Sequence, residues 1–324
     1  MLKRIFNEVF TNRVLKLIFC SVFLNKYLIG KFNYIYEFSP HIFQEMFIRL
    51  SNAPDYNYCW TIYLKNGKTV KVNITKNYPP SFAFAISYKW HDLGLRRLET
   101  ILQENYSQDY CYLDIGANHG LRSIYALSTG RFTYLFEPNN NLNYFIITLF
   151  QSNSYQKYKL ENKCISDKSG LLKFYLSPST YLSSLSKENA LQDNEKGEVR
   201  EMEVQVITID EYFQEKNDKI GIIKIDVEGH EYEVLKGAIN TLKKFKPAII
   251  VEILAESKKK KQLYYMMKTL GYQCYAIKNK NRLTLIKYEK ENIFEETHFT
   301  NNYLFTLNQE YLSEAKIISS DKYI

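Results

Sequence analysis

The stretch Cys111-Tyr-Leu-Asp114-Ile-Gly116-Ala117-Asn118-His119-Gly120 decides the fold: a short apolar run breaks into an acidic, glycine-bearing turn. Glycine permits a sharp strand-to-helix turn and a close backbone approach, so the pattern reads as a strand feeding a ligand-cradling loop, with a helix over 121–128. The next apolar run, Phe132-Thr-Tyr-Leu-Phe136, closes on Glu137, 21 positions after Gly116. An acidic residue at that spacing, ending the second strand, is placed to hold a ribose diol.

The glycine pattern selects among nucleotides. A dinucleotide fingerprint carries a second glycine two positions after the first, but position 118 is Asn and position 121 is Leu. With Asp114 at its mouth and no seat for a pyrophosphate, the loop suits a ligand with a cationic amino-acid end, as S-adenosylmethionine has, over NAD.

From residue 110 onward strand and helix patterns alternate. This predicts an α/β fold with a Rossmann-like, mainly parallel sheet and helices on both faces. Pro138 is placed to start a helix with Leu142, Phe145, Ile146, Leu149 and Phe150 on one face. The run 157–166 reads as the third strand. It ends at Asp167, which suits either an adenine contact or a turn before Lys168-Ser169-Gly170. Residues 179–200 are polar, contain Ser183-Ser184-Leu185 and read as a lid or substrate-binding loop, with disorder as the competing account.

The second strong signal is Ile220-Gly-Ile-Ile-Lys224-Ile-Asp226-Val-Glu228-Gly229-His230-Glu231, a buried strand that ends in ionisable groups. Alternation puts Lys224 and Asp226 on one side of the strand and Ile223 and Ile225 on the other. Lys224 is expected in a salt bridge. His230 is either a proton acceptor with a suitable pKa or a solvent-facing helix-start residue. One helix is expected across Val234, Leu235, Ala238, Ile239 and Leu242 up to Pro247, followed by a strand from Ala248 to Glu252. Asp114, Glu137, Asp226 and Glu252 then share one edge of the sheet.

Ahead of this lie a hairpin signal, 60–64 and 70–74 around Asn66-Gly67, and a helix over 92–105. The division expected is residues 1–106 as a basic helical segment with a β-hairpin extension, and 107–324 as the α/β domain. Within residues 1–31, Lys3, Arg4, Arg13, Lys16, Lys26 and Lys31 face only Glu8, in a chain of formal net charge +8. The apolar run 17–24 is too short for the ~20 residues of a membrane-spanning helix. The segment reads either as a helix packed on the protein or as a peripheral contact with an anionic membrane.

Composition, 45% hydrophobic and 24% charged, is that of a globular protein. Five cysteines without a CxxC pair give neither a zinc site nor a disulfide framework, which fits a reducing cytoplasm; no metal site is expected. Without a continuous basic face, nucleic acid is not an expected partner. The oligomeric state is open, a homo-oligomer included.

Together, DIGANHG, Phe136-Glu137-Pro138, Thr208-Ile-Asp210, IIKIDVEGHE and the run from Pro247 to Glu252 resemble the FkbM-type S-adenosylmethionine-dependent methyltransferases, over about residues 60–307. His119 stands where an apolar residue is more usual. The resemblance implies a seven-stranded sheet and O-methylation of a hydroxyl, commonly on a sugar, lipid-linked glycan or polyketide. It also implies that Asp114, Gly116 and Asn118 hold the methionine end of the cofactor and Glu137 its ribose, and that Asp226, Glu228 and His230 face the acceptor. The competing expectation is a non-catalytic scaffold on a methyltransferase-like fold, held at the membrane by its N-terminal segment.

Overall fold

The computed structural model describes residues 57–75, 92–177, 183–191, 198–278, 283–288 and 300–319. The basic segment 1–31 lies outside the described residues, as do 179–182 and 192–197 within the expected lid. The chain divides into two compact units, residues 1–91 with 149–154, and residues 92–148 with 155–324.

In the first unit, β1 (Asn57–Tyr63) and β2 (Thr69–Thr75) form the antiparallel hairpin expected around Asn66-Gly67, with Gly67 at φ 78°. Val70 and Val72 are fully buried by alternation. Asn153 engages both backbone groups of Lys71, accepting from its N–H at 2.7 Å and donating to its carbonyl at 2.8 Å.

The second unit is built on a nine-stranded sheet. Its strands are β3 (Tyr110–Ile115), β4 (Thr133–Phe136), β5 (Tyr158–Glu161), β9 (Lys219–Ile225), β10 (Ala248–Glu252), β11 (Gln273–Lys278), β12 (Thr284–Tyr288), β13 (Asn302–Thr306) and β14 (Lys316–Ser319). The order is β14-β12-β11-β13-β10-β9-β3-β4-β5. Strands β5, β4, β3, β9 and β10 run parallel, and β13 is antiparallel to both β10 and β11. The seven expected strands are the stretch from β11 to β5; β12 and β14 extend it at one edge. A separate three-stranded sheet has the order β6-β8-β7, from β6 (Cys164–Ile165), β7 (Gly170–Leu176) and β8 (Arg200–Ile207).

Helices cover both faces. On one side, α1 (Leu93–Asn105) and α2 (Ser123–Thr129) lay Leu95, Leu98, Ile101, Leu102 and Ala126 against Tyr112, Ile222 and Ile250. The next helices are α3 (Asn143–Ser152), the single turn α4 (Lys187–Ala190) and α5 (Ile209–Phe213). On the other side, α6 (Glu231–Lys236), α7 (Ile239–Phe245) and α8 (Lys260–Thr269) pack Val234, Leu235, Leu242, Leu263 and Met267 on Leu113, Ile115, Ile223 and Ile225. The period of two thus sets β9's apolar residues on the α6–α8 side and leaves Lys224 for the α1–α2 side.

Two expected elements are split. The third strand leaves the main sheet after Glu161, where Asn162 turns its side chain onto the Glu137 carbonyl at 3.1 Å, and resumes as β6 in the small sheet. The single helix up to Pro247 is broken into α6 and α7 at Gly237, where a Cβ would stand 2.0 Å from the Ser166 carbonyl oxygen. Asp210 repairs that break: its carboxylate accepts from the Asn240 and Thr241 N–H groups at 2.9 and 2.7 Å, capping α7, while Thr208 caps α5. This is the structural role of the Thr208-Ile-Asp210 element.

Arg131 fastens the start of the sheet. Fully buried, it donates to the Gln103 side chain at 2.5 Å and to the carbonyls of Gln103, Tyr106, Ser107 and Tyr110 at 2.6–2.9 Å. Two of those carbonyls belong to the end of α1, where helix carbonyls lack internal partners.

Candidate active site

In a parallel sheet the strand C-termini share one edge, and here four of them deliver carboxylates. Asp114 is the next-to-last residue of β3, Glu137 follows β4, Asp226 follows β9 and Glu252 ends β10. The order β4-β3-β9-β10 makes the four neighbours, as the alternating pattern predicts. Beyond them the chain adds Glu228 and Glu231.

The loop after β3 is shaped by backbone. Gly116 has φ 75° and Gly120 φ 70°, while Asn118, at φ 50°, takes a left-handed conformation that asparagine tolerates. The close approach at Gly116 is to the Asp226 backbone, where an added Cβ would collide. The Asp226 N–H in turn donates to the Ile115 carbonyl at 3.0 Å. The sequence pattern foretold a glycine that admits a ligand; its immediate neighbour is the end of β9.

Glu137 organises the second side of the loop. Oε2 accepts from the Asn118 N–H and Oε1 from the Asn139 N–H, both at 2.8 Å. A carboxylate offers about four acceptor positions, so each oxygen keeps one for a further donor. Burial pushes this carboxyl up to about 7 against the amide bonds that oppose it.

Asp114 is buried beneath the loop. Its Oδ2 accepts from the Ser123 hydroxyl at 2.7 Å, tying β3 to the first turn of α2, and its register partner across the sheet is Lys224. Burial raises it to about 6. Lys224, 1% exposed, pairs with Asp226 at 3.0 Å, the salt bridge expected; the Asp226 side chain is 32% exposed.

Around Asp226 the acids outnumber the cations. Burial, then Asp226 and Glu252, push Glu228 up to about 8. The Asp226 charge, then burial, raises Glu252 to about 7, and burial raises Glu231 to about 7 although it accepts from the Gly229 N–H at 2.7 Å. Besides Lys224 the compensating cation is Arg122, which donates to Asp92 at 2.6 Å and lies 3.6 Å from Glu99. Arg122 was not singled out by the sequence pattern. Its signal was Asp92, just before α1, and Glu99 within it.

Two expected site residues have other partners. Nε2 of His230 shares a hydrogen bond with Ser166 Oγ at 2.8 Å, and Nδ1 lies 3.7 Å from Glu233. Burial lowers its pKa, and the charges that act on it belong to Glu233, Lys259 and Asp167. It is therefore neither a solvent-facing helix start nor paired with the cluster around Asp226. Asp167 is ion-paired with Lys236 at 2.7 Å, which holds its carboxyl below the usual range and gives the turn residue a partner.

His119 fills an apolar position as a neutral ring. It is 2% exposed, packs edge-on against Phe145 with centroids 5.4 Å apart, and burial pushes it down to about 3. Among the described residues no cluster of His, Cys, Asp and Glu has the arrangement to hold a metal ion. Among them, too, no helix is long and apolar enough to cross a membrane.

Residues 114–274 match the family described as Methyltransferase FkbM domain. No curated protein matches the chain. Among solved structures, the chain is similar to methyltransferase FkbM from Methylobacillus flagellatus KT, with 14% identity, a TM-score of 0.39 and 62% of this chain covered. The match spans 44% of that protein, less than half its length. A putative methyltransferase from Streptococcus mutans in complex with SAH is similar at 6% identity and TM-score 0.36, covering 65% of this chain and 95% of that one. The N-terminal domain of human METTL16 in complex with SAH gives 11% identity and TM-score 0.37, covering 76% and 87%.

Proposed function

The domain at residues 114–274 belongs to the methyltransferase FkbM family, and from that premise we propose an S-adenosylmethionine-dependent O-methyltransferase acting on a hydroxyl of a sugar or glycan precursor. The observation that carries the cofactor is the charge imbalance at the sheet edge. Asp114, Glu137, Asp226, Glu228, Glu231 and Glu252 face Lys224 and Arg122, and Arg122 is already shared with Asp92 and Glu99. A ligand bearing a sulfonium and an ammonium supplies the missing positive charge.

The residues present fit that ligand. Glu137 keeps one acceptor position on each oxygen, the complement of a vicinal ribose diol, and the 116–120 loop carries the backbone that would hold the methionine end. Asp114 acts from below, fixing the start of α2 through Ser123. When bound, S-adenosylmethionine supplies an electrophilic methyl group.

On the acceptor side, Asp226 is anchored by Lys224 and orients the hydroxyl through its free acceptor positions. Glu228, buried beside the charges of Asp226 and Glu252, takes the proton once the cationic ligand has favoured its ionised form. Such a base contributes typically about 10² to 10⁴ in rate, alongside the alignment of the acceptor. His230, held by Ser166, supports α6 from outside this cluster. The glycan acceptor rests on the family alone, and contact of residues 1–31 with a membrane stays a proposal of sequence.

Calorimetric titration of the full chain with S-adenosylmethionine and with NAD tests the cofactor. Micromolar binding of the former only is expected, and no binding by folded protein overturns the assignment. A panel of sugar nucleotides, lipid-linked sugars and phenols, read by mass increase, tests the acceptor; transfer to phenols alone overturns the glycan reading.

A further inference from the structure

The loop that follows β9 is held in a conformation it would not keep unaided. Glu228 has φ 54° and Gly229 φ 100°. For a residue with a Cβ the left-handed region is unfavourable, and it persists where surrounding contacts enforce it. The enforcing contacts come from a distant part of the sequence. The Glu228 carbonyl accepts two hydrogen bonds, from Ser184 Oγ at 2.8 Å and from Asn189 Nδ2 at 2.5 Å. The same Asn189 amide fills the space beside Gly229, where a Cβ would stand 2.3 Å from Nδ2.

The donors are themselves aimed. Ser184 is buried, its backbone bridges Tyr175 through two hydrogen bonds of 2.8 and 3.1 Å, and its Oγ accepts from the Ser186 N–H at 3.0 Å. The hydroxyl thus accepts from Ser186 and donates its proton to the Glu228 carbonyl. Ser186 caps α4 by accepting from the Asn189 N–H at 3.3 Å, which fixes the turn from which Asn189 reaches. On the other face of the same peptide, the Gly229 N–H is taken by Glu231 at 2.7 Å. The 228–229 peptide is thus fastened at both its oxygen and its nitrogen.

We propose that Ser184 and Asn189 are positioning residues for the acceptor side of the site: by clamping the Glu228 carbonyl they hold the Glu228 carboxyl beside Asp226 and Glu252. The proposal rests on the O-methyltransferase reading for what Glu228 does, but the clamp is a property of this chain alone. It gives Ser184, within the Ser183-Ser184-Leu185 stretch, a function in the reaction.

The test follows the Glu228 carboxyl by NMR in the full chain labelled at glutamate carboxyls, its signal assigned with Glu228→Gln. In Ser184→Ala, and more so in Asn189→Leu, the released loop exposes the carboxyl and moves it from its like-charged neighbours. The Glu228 midpoint is then expected to fall by about one unit or more, with the Glu137 midpoint unmoved and S-adenosylmethionine affinity within about twofold of wild type. An unchanged Glu228 midpoint in folded variants overturns the clamp, and so does a joint shift of Glu137, which would mark general loosening. Ser184→Ala removes a single oxygen and keeps the test available if Asn189→Leu does not fold. Wild type that fails to bind S-adenosylmethionine sinks the methyltransferase reading, while the Glu228 midpoints still decide the clamp.

Discussion

The Cβ that Gly116 lacks would lie 1.8 Å from the carbonyl oxygen of Asp226. The first loop of the site and the end of β9 are therefore in backbone contact, and each sets the position of the other.

Gly116→Ala should consequently cost both fold and ligand. The substitution adds a backbone clash to a φ of 75°, so a loss of more than about 2 kcal/mol is expected in denaturant unfolding. A variant as stable as wild type would show that the strand ends can separate freely.

Glu137→Gln exchanges one acceptor oxygen for a donor that faces an N–H. Weakening of S-adenosylmethionine binding by at least about tenfold is expected by calorimetry, from loss of a diol acceptor and of one loop tether. Unaltered affinity would remove Glu137 from the cofactor site.

The acidic edge should make binding release protons. Burial leads in raising Glu137 and Glu231 to about 7 and Glu228 to about 8, and the Asp226 charge leads in raising Glu252 to about 7. A cationic ligand favours their ionised forms. Titrations at neutral pH in buffers of different ionisation enthalpy should report net proton release; uptake would contradict the charge argument.

The same groups set the stability of the ligand-free protein. The unfolded chain loses these protons at the ordinary 4.5, the folded site only near 7 to 8, so the folded state binds more protons and stability falls as pH rises through that window. His119, kept neutral down to about 3 against an ordinary 6.5, works oppositely below 6.5. Thermal midpoints should therefore decline from pH 6.5 to pH 8, and less so with S-adenosylmethionine bound. In His119→Leu the loss of stability on acidification below 6.5 should shrink.

Arg131→Ala strands the carbonyls of Gln103, Tyr106, Ser107 and Tyr110. A loss of roughly 3 kcal/mol or more is expected from a buried, multiply bonded charge. Cofactor affinity of the folded fraction should hold, because the staple grips the start of β3 and the site lies at its end.

What could be read from the sequence was local and periodic. Asp114, Glu137, Asp226 and Glu252 were legible because each follows an apolar run, and parallel strands bring their ends to one edge. The hairpin and α1 were legible from alternation and helical spacing. What escaped was set by partners remote in the chain. The break at Gly237 answers to the Ser166 carbonyl, the turn out of the sheet after Glu161 to the Glu137 carbonyl, and the place of His230 to Ser166. No spacing rule reaches from Asn189 to Glu228, nor from Arg131 back to α1.

The pairing of β3 with β9, Tyr110 opposite Lys219 and Asp114 opposite Lys224, also has a consequence for the order of assembly. As the chain leaves the ribosome, β3 and β4 emerge together and supply the Gly116–Phe136 and Asn118–Glu137 hydrogen bonds, but the packing of Gly116 on Asp226 must wait for β9. Such a non-local contact forms only after a long loop is closed. The wall that the end of β9 gives this loop is thus completed last, and a nascent chain halted before β9 carries the motif without that wall.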